Sequence, residues 1–305
     1  MRYLKRFYER LSTDYQWYEY LTSYAFILVP LLFFLVFTLY PLAWSFILSF
    51  QRFRVSGNTW VGLQNYLRLF TGSTASVYLK ALKNTIIYTL FTVPIGVAIT
   101  IGLAVLIYPL PRRVQNLFKG AYYLPSVTSG IVLSLVWLWI FDPLTGLLNY
   151  LVGLVGISPQ NWLGDPSVAL PAVILMALAG GHGSGIILAL AAMGSVPRTY
   201  YEAADIDAAS RWSKFRNITI PLIKPTILYM LIIGMIGSFQ VFELIYVLTQ
   251  GGPMYSTMTL VYLIYQSAFV NFDFGYAAAQ AFVLGGIVVL ISIIQYKLLA
   301  TDVEY

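Results

Sequence analysis

No cysteine occurs in these 305 residues, histidine occurs once, and charged side chains make up only 10% of the chain. Without cysteine there can be neither disulfides nor thiolate metal sites. So low a charge, against about 25% in soluble domains, excludes an ordinary water-covered globule. A phosphate loop of the form Gly-x-x-x-x-Gly-Lys-Ser/Thr is also missing, so the chain carries no nucleotide site of that kind. What is present is apolar: 59% of the residues, with a mean hydropathy of +0.76. The net charge of +6 is spread over the ends of apolar segments rather than gathered in a patch. That distribution argues for a membrane-topology signal and against nucleic acid as a partner.

A helix needs about 20 residues to cross about 30 Å of hydrocarbon. Six windows of that length, free of charge apart from Glu243 in the fifth, stand out, at 24–50, 84–110, 120–141, 167–193, 226–248 and 274–296. Two further uncharged stretches fit poorly. The stretch 143–164 is interrupted by Pro143, Gly146, Asn149, Gly156, Pro159 and Asn161, and 258–272 is too short. Both are expected as outer-face or re-entrant segments, because backbone at membrane depth must satisfy its hydrogen bonds internally. The expectation is an all-α membrane protein with six transmembrane helices in a single domain, 1–305, without internal repeats. Its place is a cell membrane, which it crosses several times. The first apolar run is too long for a signal-peptide core and lacks an Ala-x-Ala site, so it is expected to be retained.

Lysine and arginine set the orientation. Arg2, Lys5, Arg6 and Arg10 precede the first window, Arg112, Arg113 and Lys119 separate the second and third, and Arg198, Arg211, Lys214, Arg216 and Lys224 separate the fourth and fifth. The third and fifth connections carry only Asp142, Asp165 and Asp273. Both termini are therefore expected inside. The first outer connection runs against this pattern, with Arg52, Arg54, Arg68, Lys80 and Lys83.

Ionisable groups within spans are costly and point to function. Glu243 stands in the fifth window with Gln240 one turn before and Tyr246 one turn after, so a continuous helix would put all three on one face. That face suits hydrogen bonding to a hydroxyl-rich solute; the alternative is that Glu243 caps the Gly-Gly-Pro turn at 251–253. The single histidine, His182, lies in "AGGHGSG", residues 179–185, where the glycines open space. It is a candidate for the solute route or, equally, a satisfied helix contact. So few ionisable groups in the spans disfavour a strongly charged solute. No catalytic or metal-ligating constellation is evident.

The most charged stretch is "YYEAADIDAASRWSKFRNITIPLIKP", residues 200–225. Thr199 and Glu202 have capping-box spacing, so a helix is expected to start there. Ala203, Ala204, Ala208 and Ala209 favour helix and keep its surface low. A helix of about ten residues is marginal in water and needs a surface to dock on. Lying flat on lipid is the alternative, but Asp205 and Asp207 would face an anionic surface.

"EAADIDAAS" followed by "IPLIKP" resembles the signature loop of the membrane subunits of binding-protein-dependent ABC importers. "VGLQNYLRLF" (61–70), "NTIIYTL" (84–90), "YYLPSVTSGIVLSLVWLWIFDPLTGLLN" (122–149), "MGSVPRTYYEAA" (193–204) and "VLTQGGPMYSTMTL" (247–260) are similar to segments of the larger permease of carbohydrate-uptake systems. The likeness covers about 84–298. It implies the type I ABC importer permease fold, N-in and C-in, with a short cytoplasmic coupling helix between spans four and five. Thr199, Tyr201, Glu202, Ala203, Ala204, Asp207 and Ala208 would dock that helix on an ATPase. A glycine of the family pattern falls at Ala208, so either the turn differs or the position is helical. The partners implied are a second homologous permease, two ATPase subunits that bind ATP and Mg, and an extracytoplasmic sugar-binding protein. The competing possibility is a stand-alone secondary transporter or channel using Glu243 and His182, which would ordinarily show inverted repeats.

Overall fold

The computed structural model describes residues 2–53 and 57–299. Arg54 and the side chains of Arg2, Lys5, Arg6 and Arg10 lie outside the described residues. Among those residues the regular structure is helical apart from one ribbon of two-residue strands, β1 (Gln51–Arg52) paired antiparallel with β2 (Thr59–Trp60). Before and after it run α1 (Arg2–Phe34), α2 (Tyr40–Ser49), α3 (Gln64–Phe70) and α4 (Ala75–Ile107). Then come α5 (Arg112–Val127), α6 (Gly130–Ile140), α7 (Leu147–Gly153), α8 (Ala169–Ala179) and α9 (Gly183–Ser195). Three short helices follow, α10 (Arg198–Ile206), α11 (Arg211–Lys214) and α12 (Ile220–Leu222), and then α13 (Lys224–Phe239), α14 (Glu243–Leu248), α15 (Leu260–Tyr265) and α16 (Phe274–Leu299).

Three helical stretches are long and apolar enough to cross a membrane unbroken, Trp17–Ser49, Ala75–Ile107 and Phe274–Leu298. Three more pass only as bent pairs: α5 with α6 at 95°, α8 with α9 at 50°, and Arg211–Leu222 with α13 at 67°. The expectation of continuous helices over 120–141, 167–193 and 226–248 is therefore corrected. In the first, Thr128 and Ser129 are extended (ψ 138° and 133°) directly after the turn that holds Pro125, which lacks an N–H to continue the ladder. In the second, Gly181 takes φ +79°, a left-handed value that breaks the helix without a side-chain clash. The third bends at Ile223, between Pro221 and Pro225, and then ends at Phe239 rather than running on to 248. Within 143–164 lies the short α7, and within 258–272 an apolar helical stretch, Leu260–Val270.

Between apolar helices in lipid there is little transfer free energy to gain, so close packing of small residues decides which helices meet. The long α4 carries Ala81 and Ala104, both fully buried, and takes part in two apolar clusters. One gathers α4 with Val173, Phe239, Ile245 and Leu260; the other gathers it with Ile186, Ala189 and Ile223. A Cβ on Gly183 would lie 2.5 Å from the Tyr122 carbonyl oxygen, so only glycine lets α9 approach α5 this closely. The segment after α2 is tied to the start of α16. Asn65 donates to the Ser49 and Gln51 carbonyls, each at 2.9 Å. Arg68 pairs with Asp273 at 2.9 Å and lies 4.3 Å above the Tyr276 ring.

Candidate functional site

The bends after α5 and α8 meet the break between α13 and α14 at one place. A cavity of about 540 Å³ is lined by Pro125, Gly130 and Ser134 beside the first break, Gly180 and Gly181 at the second, and Gln240 and Glu243 after α13. It shares Tyr88, Ala177, Gly180, Gly181 and Val241 with a larger cavity of about 720 Å³. That larger space is walled by Tyr88, Thr92, Gly96 and Thr100 of α4, by His182 and by Ser238. Broken helices free backbone groups that a bilayer cannot hydrate, and such backbone is tolerated where it lines a cavity. The walls are mostly apolar, with hydroxyls, one amide, the His182 imidazole and the Glu243 carboxyl. A neutral, hydroxyl-rich solute could bind there by hydrogen bonds.

Gln240 and Glu243 line the same cavity, but not as one helical face. Gln240 caps α13, Phe242 turns the chain at φ −135°, ψ −63°, and Glu243 is the first residue of α14. The break thus separates Gln240 from the expected face, while Glu243 and Tyr246 stay one turn apart on α14. Tyr246 stands instead in a group of rings, with centroids 5.5 Å from Phe242 and 5.6 Å from Tyr265. Nor does Glu243 cap the Gly-Gly-Pro turn: there Thr257 donates to the Gly252 carbonyl at 2.7 Å. Glu243 Oε2 lies 2.5 Å from where a Cβ on Gly130 would stand, at the amino end of α6. The first N–H groups of a helix have no internal partner and its dipole is positive there. Glu243 thus lies against the amino end of α6.

His182 sits at the second break, not within a continuous span. Its Nε2 faces the Leu178 carbonyl at 2.7 Å and its Nδ1 faces the Thr100 hydroxyl at 3.0 Å. A carbonyl can only accept, so Nε2 carries the proton, while Nδ1 shares the Thr100 hydroxyl with the Gly96 carbonyl, which lies 2.8 Å from it. Both nitrogens are used by the helices while the ring edges the cavity. The α4 residues Tyr88, Thr92, Gly96 and Thr100 were not singled out from the sequence. Their four-residue spacing, one helical stripe of small or hydroxyl-bearing positions, was the available signal.

At the other candidate surface, α10 starts at Arg198 after Pro197, with no side-chain cap. The Thr199–Glu202 capping box is corrected: Thr199 lies inside the first turn, because Pro197 takes the capping position and Tyr200 N–H already reaches its carbonyl at 3.3 Å. Glu202 is left exposed. The helix is anchored from behind, by Tyr201 Oη with Thr219 Oγ1 at 2.9 Å and by the Asp205–Lys214 ion pair. Ala203, Ile206, Asp207 and Ala208 are exposed, Ile206 by 87%. Ala208 is not helical but left-handed, φ +54°. Ala209 N–H bonds to the Ala204 carbonyl at 2.9 Å and Ala208 N–H to that of Asp205 at 3.1 Å. These are the two bonds of a Schellman ending, made here with alanine where glycine is usual.

Residues 70–303 match the family described as "Binding-protein-dependent transport system inner membrane component", and the chain belongs to that family. It is a multi-pass protein of the plasma (inner) membrane. It is similar to the arabinooligosaccharides transport system permease protein AraP of Bacillus subtilis (strain 168), 37% identical over 267 residues, covering 87% of this chain and 84% of that protein. The lactose transport system permease protein LacF of Rhizobium radiobacter is 34% identical over 266 residues, 86% of this chain and 88% of that one. The fold is that of a type I ABC permease. A chain from the crystal structure of a bacterial ABC transporter involved in the import of the acidic polysaccharide alginate superposes with a TM-score of 0.81, at 24% identity, over 95% of this chain and 98% of that one.

Proposed function

We propose that this chain forms half of the translocation pathway of an ABC importer for a sugar or oligosaccharide. In this proposal the three unbroken stretches and the three bent pairs make six spans in one domain, with both termini in the cytoplasm. The observation that carries it is the meeting of the breaks after α5, α8 and α13 at two adjoining cavities, one lined by Gln240 and Glu243 and the other by the hydroxyls of α4. Relatives whose names specify arabinooligosaccharides and lactose support the substrate class. Gln240, Glu243 and the His182 ring would meet the solute directly, and Tyr246 would support Phe242 from behind.

The helix α10 would be the coupling helix. Its outward Ala203 and Ala204 admit close backbone approach, Ile206 would fill an apolar pocket, and Glu202 and Asp207 would meet basic groups of an ATPase. A second permease, two ATPase subunits holding ATP and Mg, and an extracytoplasmic binding protein complete the assembly. A solved alginate ABC transporter in complex with alginate pentasaccharide-bound periplasmic protein supports a partner of that last kind.

The test is a mild-detergent pull-down of tagged chain from its native membrane, read by mass spectrometry, with Glu202→Arg and Gln240→Ala alongside. Recovery of an ATPase and a second permease from the parent, loss of the ATPase or of coupling in Glu202→Arg, and weakened uptake with intact assembly in Gln240→Ala are expected. Transport by this chain recovered alone would overturn the proposal.

A further inference from the structure

The basic residues of the first outer connection run against the topology pattern. Arg68 is accounted for by Asp273. Lys80 and Lys83 stand together, one turn apart on α4, where its charge-free stretch begins at Asn84. They line a cleft of about 640 Å³ together with Ile87, Leu170, Pro171 and Ser256. No carboxylate lines it. The neighbouring Asp165 turns Oδ1 to the Ser167 N–H and hydroxyl at 2.8 and 2.7 Å.

One donor of Lys80 goes to the Met254 carbonyl at 2.6 Å, and Asn84 holds the Tyr255 and Met258 carbonyls at 2.9 and 3.0 Å. The 254–258 loop is therefore braced from α4, and its Ser256 is brought to the cleft. Ser256 is 92% buried (8% exposed), yet its Oγ has no hydrogen-bond partner. A buried hydroxyl without a partner is an unmet demand that a ligand oxygen can satisfy. Lys83 makes no ion pair or hydrogen bond among the described residues. Cations stand at one end of the cleft, while Ile87, Leu170 and Pro171 continue it towards the apolar length of the helices.

We propose that this cleft holds the phosphate headgroup of an anionic phospholipid of the outer leaflet, between Lys80, Lys83 and the Ser256 hydroxyl, with an acyl chain along Ile87 and Leu170. Phosphate is the recognised chemistry, and the apolar continuation selects a lipid over a free anion. The inference rests on the topology proposed above, which puts the amino end of α4 at the outer interface.

The full-length chain in detergent is titrated with phosphatidylglycerol, with phosphatidylcholine as the zwitterionic control, and bound lipid is counted by native mass spectrometry. Lys83→Gln lowers affinity for phosphatidylglycerol by about fivefold, the contribution of one basic residue at an anionic surface, and leaves phosphatidylcholine unchanged. Lys83→Arg restores binding. Ser256→Ala also weakens it without lowering the unfolding temperature, because its hydroxyl makes no hydrogen bond in the fold. Unaltered binding in Lys83→Gln and Ser256→Ala overturns the inference, and so does complete displacement of the lipid by millimolar inorganic phosphate. Because the chain has no cysteine, Lys83→Cys can be tagged alone with an impermeant maleimide. Tagging from outside with unchanged lipid binding rejects the lipid site only; tagging solely from the cytoplasmic face rejects the topology beneath it.

Discussion

Replacing Ala208 by glycine tests the geometry at the end of α10. The residue is exposed and its φ of +54° closes a Schellman ending through the Ala209 and Ala208 N–H groups. A left-handed residue with a Cβ costs about 1–2 kcal/mol. Glycine removes that strain but brings about 0.5–1 kcal/mol of extra freedom to the unfolded chain. No packing is lost with the exposed methyl, so the net local stabilisation is about 0.5–1 kcal/mol. Hydrogen–deuterium exchange of a peptide spanning 200–212, followed in the full-length chain, should slow about two- to fivefold. Ala208→Val should act the other way, since a β-branched side chain is poorly tolerated at positive φ. Exchange that is unchanged or faster in Ala208→Gly, or unaffected in Ala208→Val, would refute the assignment of strain to this turn.

Gly183→Ala should lower the unfolding temperature in detergent by separating α9 from α5. The added carbon would meet the Tyr122 carbonyl oxygen and the Tyr123 Cα, each at 2.5 Å, and overpacking against backbone costs about 1–3 kcal/mol. At Asp142, the N–H of Thr145, then its hydroxyl, then the N–H of Leu144 hold the carboxyl below its ordinary pKa. A depressed folded-state pKa means stabilisation present at neutral pH and lost as pH falls through the folded value. The unfolding temperature should therefore drop in acid, below the usual carboxylate pKa of about 3.9, and Asp142→Asn should make that drop shallower.

The apolar windows were legible because membrane helices must satisfy their backbone internally and advertise this as long uncharged runs. The helix at 198–206 was legible from its alanines and flanking charge. The breaks were not. Ser129 and Phe242 carry no strong turn preference, and Pro125 stands inside α5, ahead of the first break. At Gly181 the punctuation was present, but glycine in a span more often marks close packing. Glu243 stood out by its charge in an apolar setting, yet its neighbour at the amino end of α6 is 113 positions away in sequence (243 − 130). Thr199 shows how a short motif can mislead: the spacing was correct, but Pro197 had already set the first turn.

The two adjacent glycines of the second break separate conformation from space. Neither meets any atom within 4 Å of an added Cβ. Gly180 has φ −128°, ordinary extended backbone, whereas Gly181 has φ +79°. If the break were maintained only by room in the cavity, alanine at either position would act alike. If the backbone turn sets it, Gly180→Ala should be neutral or slightly stabilising, because alanine restricts the unfolded chain. Gly181→Ala should then cost about 0.5–1 kcal/mol net, the left-handed strain less the gain from restricting the unfolded chain, read as a lower unfolding temperature in detergent. Gly181→Asn should recover part of the loss, because asparagine tolerates the left-handed region better than alanine. Equal effects of the two alanines would show that the turn at His182 is held by its contacts with Thr100 and Leu178, and that the left-handed glycine merely follows.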